Sequence, residues 1–242
     1  MRHSLQKNKT SRHSKLKKIV HNSKKIKCVT RFGKNIGHLG HLGHLGHLED
    51  VPAYSNCNNS FESGFNNVIR YKNKNVFSGM QWQCVEYARR YLITKLGVTF
   101  ASVDGAEDVF ALKTVESIEN GKKYKFKTYK NNLNCRGKNN MPRVNDVIIW
   151  ARNNEDTPYG HIAVILKIEG DQIFIGEQNW SNDAWKSPRP PPHSRVLTFK
   201  KYNNRCRVID GNYTILGWKR ASLKPLKKTL KQDIPISLIN SP

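Results

Sequence analysis

From Trp82 to Leu96 the apolar positions Val85, Ala88, Leu92 and Leu96 fall three and four residues apart. That spacing predicts an amphipathic helix, and Gly97 supplies its stop. Asp104 is a suitable N-cap for a second helix, with Ala106, Val109, Phe110 and Val115 turned inward. The period then changes. Val147–Trp150 is a short apolar run. His161–Ile168 and Gln172–Glu177 are rich in Ile and Val, and Glu169-Gly170-Asp171 between them predicts a hairpin turn. Arg195–Lys200, Arg205–Ile209 and Tyr213–Trp218 predict three more strands, while Pro188 and Pro190–Pro192 keep 181–193 a loop. The Asn/Ser-rich stretch from Pro52 to Asn75 and the Lys/Asn-rich stretch 120–143 predict loops as well. Helices first and antiparallel strands after is an α+β order.

Charge divides the 242 residues into three parts. The whole chain carries 42 Lys+Arg against 18 Asp+Glu, a net +24. Residues 1–48 hold 12 of the basic residues and no acid, and residues 219–242 hold six with a single Asp. The middle, 49–220, predicts one ordinary domain between two basic, disordered tails, 1–48 and 221–242. Such tails suit contact with a polyanion but name no partner. Within the first tail, His38, His41, His44 and His47 recur in a Gly-His-Leu tract. A glycine in every triplet argues against a helix that would align the histidines, so the tract predicts a low-complexity linker and no metal site. No apolar run of about 18 residues predicts a membrane span, and no secretory signal or compartment is legible. Five cysteines at irregular spacing predict no disulfide framework and fit a reducing compartment.

Cys84 is the sharpest chemical candidate because it opens the first helix. A helix N-terminus presents unpaired N–H groups and partial positive charge, which favour a thiolate and can hold an oxyanion. A thiol nucleophile needs a base that later serves as an acid, and His161 heads a strand after Gly160. The imidazole needs a partner on its second nitrogen. Because the hairpin turns near residue 170, antiparallel pairing brings positions near 161 and 177 to the same end, which nominates Glu177. Each residue also has an ordinary reading, since helix cysteines are usually small buried hydrophobes. Glu86 and Arg90 stand four apart, an ion pair worth ~0.3–0.5 kcal/mol on an exposed helix. Trp82, Trp180, Trp185 and Trp218 predict core positions, and His193 a surface one.

Three ordered motifs carry a resemblance: Cys-Val-Glu-Tyr-Ala-Arg-Arg at 84–90, Gly-His-Ile-Ala-Val-Ile at 160–165 and Gly-Glu-Gln-Asn at 176–179. They resemble the CHAP family, the cysteine, histidine-dependent amidohydrolases/peptidases of papain-like NlpC/P60 type. Gly79-Met80-Gln81-Trp82-Gln83, Asn145-Asp146-Val147-Ile148-Ile149-Trp150 and Ile215-Leu216-Gly217-Trp218 are similar to the amidase domains of glutathionylspermidine synthetase/amidases and trypanothione synthetases. The resemblance runs through most of 50–220. It implies a papain-like fold, with N-terminal helices packed on an antiparallel, partly barrelled sheet. It implies Cys84 as nucleophile, His161 as general base and acid, and Glu177 as the orienting carboxylate. Gln83 and the Cys84 amide are the implied oxyanion donors, and Arg89 and Asn179 the implied substrate contacts. No cofactor is implied.

The implied reaction is thiol-dependent amide hydrolysis through an acyl-enzyme, on a small-molecule or peptide amide such as a glutathione–polyamine conjugate. A peptidoglycan endopeptidase or amidase is the alternative, with basic tails on an anionic wall. A basic nucleic-acid-binding or particle protein on an inactive fold is a third. The 24 residues after Trp218 are too few for a synthetase domain, so amide synthesis is not expected.

Overall fold

The computed structural model describes residues 27–37, 51–135, 138–153, 155–185 and 192–225. The His tract, the basic segments 1–26 and 226–242, and Pro188, Pro190 and Pro191 lie outside the described residues. Three short units precede the main sheet. β1 (Asn35–Gly37) pairs with β2 (Ala53–Tyr54), and β3 (Asn66–Tyr71) forms a hairpin with β4 (Lys74–Met80). The helix α1 (Cys84–Leu96) follows. Its end is set by Gly97, whose left-handed backbone lets its N–H reach the Ile93 and Leu92 carbonyls.

The rest of the chain builds one ten-stranded antiparallel sheet. Its strands are β5 (Val98–Thr99), β6 (Thr114–Ser117), β7 (Lys123–Lys130), β8 (Leu133–Asn134), β9 (Val147–Trp150), β10 (His161–Glu169), β11 (Gln172–Gly176), β12 (Arg195–Tyr202), β13 (Arg205–Ile209) and β14 (Ile215–Pro225). In space they run β5-β6-β7-β14-β9-β10-β11-β12-β13-β8. The central strands β9 and β10 are buried on both faces, which is why they read as continuous apolar runs. Val147, Ile149, Ile162 and Val164 share a core with Tyr87, Ala88, Tyr91 and Leu92 of α1. Ile148, Trp150, Ala163 and Ile165 belong to a second core with β11 to β14. No helix among the described residues is long and apolar enough to cross a membrane.

The sheet is unclosed, with β5 and β8 at its two ends. Several expectations are corrected. Only α1 of the two expected helices is an α-helix among the described residues. The segment after Asp104 makes a 3-10 turn at Glu107–Ala111 and is strand by Thr114. The reason is long-range: buried Lys219 donates to the Phe110 and Leu112 carbonyls at 3.1 and 2.6 Å, oxygens a continuing helix would need. Within 120–143, β7 is a strand whose alternation of lysine and aromatic residues was obscured by its charge; Phe126 turns inward while Lys125 and Lys127 stay exposed. Pairing with β6 and β14 secures it. The stretch 52–75 likewise contains β2 and β3.

The basic N-terminal part is not tail throughout. Ile36 is buried in the helix-side core, and Cys28 is disulfide-bonded to Cys57. Cys135 pairs with Cys206, so four of the five cysteines are bridged, contrary to the expectation of no disulfides, and the argument for a reducing compartment falls with it. Bridges spanning 29 and 71 residues constrain the unfolded chain, each to the extent of about 2–4 kcal/mol. A reducing agent is therefore expected to lower the urea midpoint markedly; an unchanged midpoint would show that neither bridge contributes.

Candidate active site

Cys84, the free cysteine of the chain, begins α1 and is buried at the junction of two cavities of about 400 and 520 Å³. Glu62, Gln83 and Tyr159 line both cavities beside it. As the first helical residue, Cys84 keeps a backbone N–H outside the intrahelical bonds, the first of which runs from Tyr87 to the Gln83 carbonyl.

His161 and Glu177 are brought together by a register irregularity. Glu169 pairs with Gln172 beside the turn, but the register shifts between Ile165 and Lys167, so Ile165 faces Ile175. Alternation from that pair puts positions 161 and 177 on one face of the sheet; the unshifted register would put them on opposite faces. His161 Nε2 and Glu177 Oε2 lie 2.8 Å apart, both side chains almost fully buried. Trp150 and Trp180 flank the imidazole with ring centroids at 5.3 and 4.8 Å.

Burial alone would depress the imidazolium, but the charge and hydrogen bond of Cys84, with the Glu177 carboxylate, outweigh it and raise His161 to about 9. For Glu177, burial pushes upward, yet the His161 hydrogen bond and the Arg195 charge hold it down at about 2. The carboxylate also accepts from Ser194 Oγ at 2.7 Å and from Arg195 Nε and Nη2 at 2.7 and 3.1 Å.

The other expected site residues are more fully engaged with the protein. Gln83 Nε2 donates to the Phe61 carbonyl at 3.0 Å, and its Oε1 accepts from Asn179 Nδ2 at 2.7 Å. Asn179 thus holds Gln83 while lining the His161-side cavity. Arg89 lines the other cavity but is buried, with Nη1 on the Ser78 carbonyl and Nη2 on that of Ala101, and its guanidinium over Phe100 at 4.7 Å. Burial lowers it to about 10. Among the described residues no group of three or more His, Cys, Asp or Glu side chains could hold a metal ion.

Beneath Cys84 lies a polar network that the helix spacing revealed only in part. Glu86 is fully buried and accepts from Asn67, Ser78, Gln178 and, through two nitrogens, Arg90. Gln178 Nε2 also reaches the Gln83 carbonyl at 3.3 Å, tying the network to the start of α1. The exposed-pair figure does not apply here, because removing one partner strands a buried charge. Glu86→Ala is expected to cost about 3–5 kcal/mol of stability in denaturant titration; a loss below ~1 kcal/mol would mean the pair behaves as a surface pair. Gln178, Ser194 and Arg195 were missed from sequence. Gln178 sits inside a recognised motif, but the others carried no local signal.

Residues 75–179 match the family model described as the CHAP domain. The chain is 30% identical over 146 residues to the bifunctional glutathionylspermidine synthetase/amidase of Escherichia coli (strain K12), covering 59% of this chain and 22% of that protein. It is 30% identical over 137 residues to the trypanothione synthetase of Crithidia fasciculata, 57% of this chain and 20% of that one. The glutathionylspermidine synthase of the same organism matches at 28% over 142 residues, 58% and 19% respectively. The chain therefore spans about a fifth of the length of these curated relatives. With a free cysteine at a helix start beside a buried histidine–carboxylate pair, and with the motifs of all three inside the matched region, residues 75–179 are similar to the CHAP domain, a domain of cysteine amidohydrolases/peptidases.

Proposed function

We propose that the chain hydrolyses an amide through an acyl-enzyme, with Cys84 as nucleophile, His161 as acid and base, and Glu177 as the carboxylate that orients and charges the imidazole. The observation that carries this reading is the 2.8 Å contact of His161 Nε2 with Glu177, which leaves the other ring nitrogen for the Cys84 thiol. The thiol proton resides on His161 as imidazolium, and the thiolate sulfur attacks the carbonyl carbon. The Cys84 amide and the second N–H of the Gln83 side chain, the first being used on Phe61, hold the developing oxyanion. His161 then protonates the departing nitrogen, the C–N bond breaks, and a thioester remains. Water, deprotonated by His161, adds to the thioester; the carboxylic acid leaves and the thiol is restored.

The favoured substrate is a glutathione–polyamine amide, cleaved between the glycine carbonyl and the amine. The names of the relatives support it. So does the His161-side cavity, where Glu62, Glu155 and Asp156 reverse the sign of a chain of net +24 and suit a cationic leaving group. Incubation with glutathionylspermidine, read by mass spectrometry, is expected to yield glutathione and spermidine. A second reading, peptidoglycan amide cleavage, is favoured by the two disulfides, which persist in oxidising surroundings. Release of peptide fragments from purified wall, with glutathionylspermidine left intact, would replace the first reading with the second.

A further inference from the structure

Arg195, at the start of β12, touches neither Cys84 nor the imidazole nitrogens, yet it is built into the site from behind. One edge of its guanidinium meets Glu177 and the other meets Asp210, through Nη1 at 2.9 and 2.8 Å. Asp210 is itself held by Trp150 Nε1 at 2.9 Å. The guanidinium carbon Cζ lies 4.0 Å from the Trp180 ring centroid, and Trp180 packs on His161. Asp210, Arg195, Glu177 and His161 therefore form a line of alternating charge, clamped between the two tryptophans that flank the imidazole.

We propose that Arg195 is a positioning residue of the hydrolytic site, fixing the Glu177 carboxylate against His161 and taking a share of its charge. The proposal rests on the catalytic roles given above to His161 and Glu177. A carboxylate with a single histidine partner can rotate about its last torsion. Glu177 cannot, because Ser194 and Arg195 together hold Oε1 while Oε2 lies between Arg195 and His161. The same guanidinium charge offsets part of what the imidazolium would otherwise receive. The charged and titratable groups in play are Cys84 from α1, Glu177 after β11, Arg195 on β12 and Asp210 after β13, with Asp156 and Tyr213 at the outer rim of the cavity.

The test uses the full chain with Arg195→Ala and Arg195→Lys, reading kcat and KM against pH together with the His161 titration by NMR. In Arg195→Ala the Glu177 charge goes to His161 undivided. The imidazole should titrate at least about half a pH unit higher, and kcat should fall about tenfold or more with KM little changed. Arg195→Lys keeps the charge but not the two-edged fork. It should restore the wild-type titration while kcat stays low. An unshifted or lowered His161 titration in Arg195→Ala, with only thermal stability reduced, would make Arg195 a plain structural clamp and overturn the proposal. Because the NMR titration does not depend on turnover, it reads Arg195 even if the hydrolytic roles fail. Those roles are tested separately by whether Cys84→Ala still turns over substrate.

Discussion

Cys84→Ala is expected to reduce amide hydrolysis on the order of 10⁴-fold or more, since nucleophile, base and carboxylate act as a unit and removing the nucleophile forfeits the covalent route. The variant should fold normally. The thiol removed is small, and the first turn of α1 is held by the Glu86 network and by Gln178 on the Gln83 carbonyl. A second measurement separates loss of chemistry from loss of fold. With Cys28–Cys57 and Cys135–Cys206 bridged, Cys84 is the single free thiol. Iodoacetamide without reductant should add one carbamidomethyl group per chain, at Cys84, and abolish activity in parallel. Undiminished turnover by Cys84→Ala would remove the acyl-enzyme mechanism altogether.

Glu177→Gln should change both the height and the shape of the pH profile. The wild-type alkaline limb reports loss of the imidazolium proton that the leaving amine needs, and it should fall near pH 9, where His161 is placed. The sign follows from the causes. Burial lowers the histidine, and the charges of Cys84 and Glu177 raise it. Glutamine keeps an oxygen acceptor at Nε2 but removes a negative charge, so burial gains ground and the limb must move to lower pH. The maximum should fall ~10²-fold, because the carboxylate also orients and stabilises the imidazolium that protonates the departing nitrogen. Arg195 adds to the loss, since its guanidinium would face a neutral amide with only Asp210 as counter-charge. A profile of unchanged shape and a rate within a few-fold of wild type would remove Glu177 from the site. Asn179 could not simply replace it, since its amide is occupied with Gln83 and Asn56.

Information carried by neighbouring residues was legible in the chain itself. The 3.6-residue period from Cys84 and the stop at Gly97 define α1, and the Ile/Val runs around Gly170 define the β10–β11 hairpin. The three motifs at 84–90, 160–165 and 176–179 carry the resemblance to the CHAP domain because the chemistry of a thiol site demands those residue types at fixed places in the fold. Whatever depends on residues far apart in sequence was decided by the tertiary structure. Cysteines 29 and 71 residues apart reveal pairing only when the strands bring them together. The expected second helix stops because Lys219, more than a hundred residues later, takes its carbonyl oxygens. An ion pair that spacing ranks as a weak surface contact becomes a buried support under the nucleophile once Asn67, Ser78 and Gln178 close over it. Sequence brought His161 and Glu177 to the same end of a hairpin, but one shifted pair at Ile165 set them on the same face, because side chains alternate with a period of two.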